Sequence, residues 1–204
     1  CRFVEKKNLF TIINCFRKFK MKYPNYQEMK LKVAGIGPLK NELEMYIKDL
    51  KIKDIEFVGP INYRDLPSFY TNSKGMIILS KSEQWGLVTN EALCCGIPVL
   101  ISEKCGSREL IKNNINGFIV NPNNNIQIIS GIRNLIELSK NEDIKIKCRN
   151  SIRATNTYKF AKSCYEASNN SKNNQLTKTI GFFSVLILIF IKNLKLIETK
   201  KFEA

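Results

Sequence analysis

A strand–loop–helix–strand pattern between residues 75 and 101 constrains the fold of this chain more than any other feature. The apolar segment 75–80 has the length of a buried strand, and segment 98–101 predicts a second one. Between them, residues 87–95 are mostly good helix formers, and Gly96 stands where a glycine commonly follows a helix. Open α/β sheets bind ligands at the carboxyl ends of their strands. The pattern therefore predicts an α/β domain with a ligand crevice at the loop after the first of these strands.

Two glutamates frame this unit, Glu83 in the loop and Glu91 within the predicted helix. Gly86 lets backbone N–H groups at the helix start approach a ligand closely, and the helix dipole favours an anion there. Because helical side chains lean toward the N-terminus, Glu91 should point back to that end, where its carboxylate can hold ribose hydroxyls. Glu83, on the other side of the phosphate position, can hold the hydroxyls of a sugar. The arrangement suits a sugar–diphosphate–nucleoside.

Strands alternate with helices along the rest of the chain, at the spacing of βαβ units. Further strands are predicted at residues 30–34, 55–59 and 116–120, and helices at 9–22, 38–50, 63–72, 125–139 and 141–153. We expect Asn8 to be the N-cap of the first helix and Pro38 to take the first position of the second. Alternation of this kind predicts an α/β fold with a doubly wound parallel sheet.

Composition excludes several classes of site. The 204 residues include no histidine, which removes Ser-His, Cys-His and histidine–metal chemistry. The seven cysteines form no C-x-x-C pair, so we expect buried reduced thiols in a cytoplasmic protein, and neither a zinc site nor disulfides. Gly35 and Gly37 lack the third glycine of a dinucleotide-binding loop and are expected to shape the wall of the cleft.

The net charge of +15 has two explanations that stay open. A selected basic surface would favour polyanions or an anionic membrane face. Compositional drift explains it as well, since Lys, Asn and Ile are enriched together. Nucleic acid is not among the partners we expect. The expected localisation is cytoplasmic, with a peripheral position at the inner face of the membrane left open.

The residues around the two glutamates resemble the signature of retaining glycosyltransferases of the GT-B group usually called family 4. The resemblance rests on Glu83-x7-Glu91 with Gly86-Leu87, continues through Ala92-Leu93 to Gly96-x-Pro98-Val99, and covers about residues 1–165. It implies the Rossmann-like C-terminal half of a GT-B fold, which binds the sugar donor. It also implies transfer from a UDP-, GDP- or ADP-linked sugar to an acceptor glycan or lipid, with retention at the anomeric carbon. The N-terminal acceptor domain would lie outside this chain.

The same resemblance implies roles for individual residues. Arg2, Lys7 and Glu83 correspond to catalytic residues, and a guanidinium with an ammonium suits a diphosphate. The implied donor-binding residues are Gly86, Leu87, Val88, Glu91, Gly35, Gly59 and Gly106. No D-x-D motif stands in a suitable loop, so we expect neither metal nor cofactor, the nucleotide sugar being a substrate. Leaving-group charge would then fall to Arg2, Lys7 and the backbone at the helix start.

The sequence divides into three predicted parts. Residues 1–165 form the predicted nucleotide-sugar-binding domain, which opens within a strand-like run as expected of a piece of a longer protein. Residues 166–179, rich in Ser, Asn and Lys, predict a polar linker, and 180–204 are an apolar and basic tail of unknown role that fits the resemblance poorly. A helix over 180–191 would be roughly 18 Å long, short of the ~30 Å bilayer core. Such a helix would instead pack on another domain or lie in a membrane interface, and these two alternatives stay open.

Two other functions are alternatives for the glutamate pair. A glycoside hydrolase would use the two carboxylates as acid and nucleophile. If both lay on one helix, eight helical steps would separate them by about 12 Å, beyond the ~5–9.5 Å such pairs require, and Glu83 in the loop makes this spacing a rough guide only. A nucleotide-sugar binding or epimerising protein of the same fold would share the donor cleft and lack an acceptor. As an isolated part, the chain is expected to bind donor without turnover.

Overall fold

The computed structural model describes residues 1–153, of which Cys1–Ile152 form one compact unit. The strands are β1 Leu31–Ala34, β2 Ile55–Gly59, β3 Met76–Ile78, β4 Val99–Ser102 and β5 Gly117–Val120. The α-helices are α1 Leu9–Lys22, α2 Lys40–Asp49, α3 Leu66–Thr71, α4 Val88–Cys94, α5 Asn125–Leu138 and α6 Ile144–Arg153. Short 3-10 helices span Glu5–Lys7, Pro24–Tyr26 and Gly106–Leu110. The predicted linker 166–179, the tail 180–204 and residues 154–165 of the predicted domain lie outside the described residues.

Every strand pairing in the described part of the chain is parallel. Strands β1 and β2 form one sheet, and a second sheet has the order β3-β4-β5. Register is fixed by apolar pairs such as Val33 with Phe57 and Ile101 with Ile119. The parallel α/β architecture confirms the predicted fold class.

Strand β4 shows how the sheet is covered on both faces. Leu100 belongs to an apolar cluster with α1 and α5, which pack against each other. Val99 and Ile101 belong to a second cluster, which includes residues of α4, α6 and the 3-10 helix Gly106–Leu110. Successive side chains of a strand point to opposite faces, so helices lie on both sides of this sheet. All residues of β4 are buried, as expected of a strand between two helix layers.

A cavity of about 1050 Å³ lies between β1 and β3, which are facing edges of the two sheets. Its walls include residues 31–37 and 75–80, with apolar side chains of α1 and α5 such as Leu9 and Leu135. The lining also includes charged residues, among them Arg2, Lys7 and Glu91. The cavity therefore reaches from the apolar core to the predicted ligand site.

Two local predictions are wrong. Helix α2 begins at Lys40 and not at Pro38: residues 37–40 form a turn in which the Lys40 N–H donates to the Gly37 carbonyl (3.1 Å), and the Leu39 N–H donates to the Phe3 carbonyl (3.2 Å). Asn8 makes no side-chain cap to α1 and has φ +58°. It joins the 3-10 helix Glu5–Lys7 directly to α1, a left-handed position that Asn tolerates.

No helix within residues 1–153 is both long enough and apolar enough to cross a bilayer.

Candidate functional site

The loop between β3 and α4 is held by backbone hydrogen bonds on two sides. The Lys81 N–H donates to the carbonyl of Lys6 (2.8 Å), which belongs to the same 3-10 helix as Lys7. On the other side, the Glu83 N–H donates to the Lys104 carbonyl (3.2 Å), and the Gly106 N–H donates to the Glu83 carbonyl (3.0 Å). These bonds fix Glu83 at the carboxyl end of the sheet.

Two predicted donor-binding glycines make this loop geometry possible. A Cβ on Gly106 would overlap the Gln84 carbonyl oxygen, so the loop backbone can lie against this turn only if the residue is glycine. Gly86 has φ +92°, in the left-handed region that glycine adopts without strain. Near it, the buried hydroxyls of Thr89 and Ser107 are 2.7 Å apart and hydrogen-bonded. Both glycines thus have a conformational role, and their contact with a ligand stays a prediction.

Lys7 and Glu83 form an ion pair across 76 residues of sequence. Their side chains are 21% and 17% exposed, so the pair is partly buried. Both charges act on the neighbouring buried thiol of Cys105, whose pKa is raised chiefly by burial, raised further by Glu83 and lowered by Ser80 and Lys7. The predicted roles of Lys7 with phosphate and of Glu83 with sugar do not include this contact between the two side chains.

Glu91 has a different partner. The Tyr70 hydroxyl of α3 donates a hydrogen bond of 2.8 Å to Glu91 Oε2 of α4. Tyr70 is 7% exposed, and its pKa is raised by burial and then by the hydrogen bond and charge of Glu91, which keeps the hydroxyl protonated as a donor. This contact has no signal in the sequence, since the two residues stand 21 positions apart on separate helices and no local pattern links them.

Arg2 lies beside the end of the first sheet, where it forms a parallel bridge with Ile36. It is exposed, and none of the ion pairs within residues 1–153 involves its guanidinium. Arg2, Lys7 and Glu91 line the same cavity. The pKa of the nearby Cys1 amino group is lowered by burial and by Lys7, and Glu91 opposes this by raising it. Two cations and a carboxylate therefore share one neighbourhood.

The other predicted residues are distributed around this cavity. Gly35 and Val88 line it, and the Gly35 N–H donates to the Gly59 carbonyl (2.8 Å) at the ends of β1 and β2. A Cβ on Gly35 would overlap the Cys1 carbonyl oxygen, so the backbone of residue 1 can approach this closely only because residue 35 is glycine. Gly59 has φ +71° and Leu87 is 70% exposed. Neither of these two lies on the cavity wall.

The chemistry available is binding of an anion together with hydroxyl groups. Guanidinium and ammonium groups are hydrogen-bond donors to phosphate oxygens, and carboxylates accept from hydroxyls. In the described part of the chain, no group of three or more His, Cys, Asp or Glu residues is arranged to hold a metal ion.

Comparison with known proteins places these features in a family. The model of the family described as glycosyl transferases group 1 matches residues 1–153. An uncharacterized glycosyltransferase of Methanocaldococcus jannaschii is 34% identical over 104 residues, which are 50% of this chain and 27% of that protein. The N-acetyl-alpha-D-glucosaminyl L-malate synthase of Bacillus anthracis is 28% identical over 125 residues, 56% of this chain and 32% of that one. The chain thus spans about a third of the length of these curated relatives.

Solved structures share the fold. The C-terminal domain of a glycosyl transferase group 1 family protein from Francisella tularensis has a TM-score of 0.64 at 24% identity, covering 75% of this chain and 81% of that one. HepE of Anabaena, solved in complex with UDP, has a TM-score of 0.69 at 20% identity, covering 83% of this chain and 47% of that one.

Proposed function

Since this chain belongs to the glycosyl transferases group 1 family, we propose that it is the donor-binding part of a glycosyltransferase. The observation that carries the proposal is that Arg2, Lys7 and Glu91 line one cavity, which runs between β1 and β3 and reaches residues 35–37 and 79–80 at the carboxyl ends of these strands. That position is where open α/β sheets bind ligands. The substrate class is a nucleotide sugar, and the reaction moves its sugar to an acceptor glycan or lipid.

Arg2 and Lys7 bind the diphosphate in this proposal. The Lys7 ammonium has three N–H donors, of which Glu83 takes one, so phosphate oxygens can take the others. Both cations also balance the charge that grows on the leaving group, together with backbone N–H groups at Leu87 and Val88. Preorganised donors of this kind contribute on the order of 3 kcal/mol each to lowering a barrier. The reaction then needs neither a metal nor a cofactor.

The two glutamates take different parts of the donor. Glu91 accepts from ribose hydroxyls, and Glu83 accepts from the transferred sugar. Gly86 and Gly106 hold the loop that presents Glu83. Gly35 lines the cavity on the side of β1, and the Gly59 carbonyl accepts from the Gly35 N–H. The resemblance around Glu83 and Glu91 supports retention of anomeric configuration, and the UDP complex of HepE supports a uridine donor.

The acceptor belongs to a further domain in this proposal, in keeping with the share of the relatives that the chain spans. Transfer is therefore tested on the longer protein that contains this chain, in EDTA, with the anomeric configuration of the product read by NMR. Retained configuration and activity in EDTA are expected. Inverted product, or activity that EDTA abolishes and Mn²⁺ restores, contradicts the proposed mechanism, and binding of nucleotide sugar without transfer favours a binding or epimerising protein.

A variant of Lys7 tests the assignment of the phosphate site. Lys7→Ala is expected to lower kcat by more than about tenfold, because the charge it balances is largest in the transition state. Lys6→Ala is the matched control, since its side chain is exposed and its carbonyl alone contacts the loop. Equal rates for the two variants would remove Lys7 from the catalytic residues.

A further inference from the structure

We propose that Tyr70 is a positioning residue of the donor site, which holds the Glu91 carboxylate in the orientation that accepts ribose hydroxyls. This inference rests on the proposed function, because that function assigns the ribose to Glu91. It adds to the proposed donor site a residue of another helix, Tyr70, which favours ligands that carry ribose hydroxyls.

The two oxygens of the Glu91 carboxylate have different hydrogen-bonding roles. Oε2 accepts from the Tyr70 hydroxyl at 2.8 Å, while no hydrogen bond or ion pair within residues 1–153 reaches Oε1. An ionised carboxylate can accept about four hydrogen bonds, so one oxygen remains for a ligand. A vicinal diol such as that of ribose presents two adjacent O–H donors and matches this free acceptor.

Tyr70 is suited to hold the carboxylate because it is itself fixed. It is 7% exposed and belongs to the apolar cluster that also contains Ala92 and Leu93, the two residues that follow Glu91 in α4. Its ring also packs on Phe69 in a T-shaped arrangement, with centroids 6.3 Å apart. A buried ring of this kind has few alternative rotamers, so its hydroxyl stays at one position.

The side chain of Glu91 has more rotational freedom than the buried ring of Tyr70. A glutamate side chain has three rotatable bonds, and ordering it in one conformation costs rotamer entropy. The hydrogen bond to Tyr70 meets part of that cost before the ligand binds. Loss of the hydroxyl should therefore weaken ligands that contact Glu91 and leave unchanged the ligands that do not.

Tyr70→Phe tests this difference, because it removes the hydroxyl and keeps the ring. Binding is measured by calorimetry on the 204-residue chain with UDP, GDP and ADP, and then with the 2′,3′-dideoxy analogue of the diphosphate that binds best. We expect the affinity for the ribose-containing nucleotide to fall about five- to tenfold and the affinity for the dideoxy analogue to stay the same. The ratio of the two affinities is measured on one sample, so it is independent of the folded fraction. Tyr63→Phe is the matched control, since Tyr63 is 87% exposed.

A purely structural role gives a different result. If Tyr70 only stabilises the packing of α3 and α4, Tyr70→Phe weakens both nucleotides equally or neither, and either outcome overturns the inference. In the Glu91→Ala background, where position 91 has no acceptor for the Tyr70 hydroxyl, Tyr70→Phe should have no further effect on the affinity ratio, and an independent effect there would also overturn it. Failure of all three diphosphates to bind the unaltered folded chain is distinguishable, because it rejects the proposed function itself.

Discussion

At the scale of residues, Glu83 and Glu91 carry the same charge and have different surroundings. Glu83 is paired with Lys7, and Glu91 accepts from the neutral Tyr70 hydroxyl. Replacement of Glu83 frees a cation, whereas replacement of Glu91 removes the carboxylate that accepts from Tyr70. Substitution by glutamine should therefore separate the two roles.

Glu91→Gln is expected to weaken binding of a plain nucleoside diphosphate by about 1.5–3 kcal/mol, because a charged acceptor for ribose hydroxyls is lost. Glu83→Gln should not weaken the plain diphosphate, since Lys7 remains and loses its competing carboxylate. It should weaken the nucleotide sugar. Calorimetric titration of both variants with both ligands measures these differences, and equal weakening of the plain diphosphate by both would show that the roles are misassigned.

Buried thiols give a prediction about alkaline stability. Burial raises the pKa of Cys148 to about 12 and that of Cys15 to about 11 from an ordinary value of 9.0. The folded chain therefore keeps these protons at pH values where the unfolded chain releases them. The stabilisation is complete below pH 9 and is lost as the pH rises toward the folded-state values.

The free energy of unfolding should accordingly fall between pH 9 and 11, by up to about 1.4 kcal/mol per pH unit for each thiol. Urea denaturation of the unaltered chain and of Cys148→Ala measures the two slopes. The variant should have a shallower decline, and Cys94→Ala, at an exposed position, should keep the steeper one. Identical slopes for all three would reject burial of Cys148 as the cause.

At the scale of elements, the amides of β1 form two sets, those that face the neighbouring strand β2 and those that face the cavity between β1 and β3. The Leu31 N–H donates to Asp54 and the Gly35 N–H donates to Gly59, so alternate amides of β1 face β2. The amides of Lys32 and Ala34 face the cavity. Within residues 1–153 no strand pairs with β1 on that side, and residues 1–3 run beside its end, where the Cys1 amino group donates to the Ala34 carbonyl.

Amide hydrogen exchange measured by NMR should show this alternation. We expect the amides of Lys32 and Ala34 to exchange about a hundredfold faster than those of Leu31 and Val33, whose N–H groups face β2. Neighbours in one strand are the internal control, because they share its global stability. Uniform protection along β1 would mean that its second edge is covered.

At the scale of the whole molecule, the sequence predicted what depends on local pattern. The apolar segment that became β4 and the 14-residue helix α1 were recognisable because burial on both faces or on one stripe leaves a periodic trace. Pairing between distant segments leaves no such trace. The separation of the strands into two sheets, the Lys7–Glu83 ion pair and the Tyr70–Glu91 hydrogen bond all join residues far apart in sequence, and they became visible only in the fold.

The most direct test of the donor-site assignment is calorimetry of the 204-residue chain with UDP, GDP and ADP in EDTA. One of the three should bind with a stoichiometry of one, with an affinity that falls as salt rises because cations meet phosphate. Arg2→Ala and Lys7→Ala should each weaken that binding by about tenfold or more, while Lys6→Ala should not. If none of the three binds the folded chain, or if the Arg2 and Lys7 variants bind as tightly as the unaltered chain, the site described above does not bind a nucleotide-sugar donor.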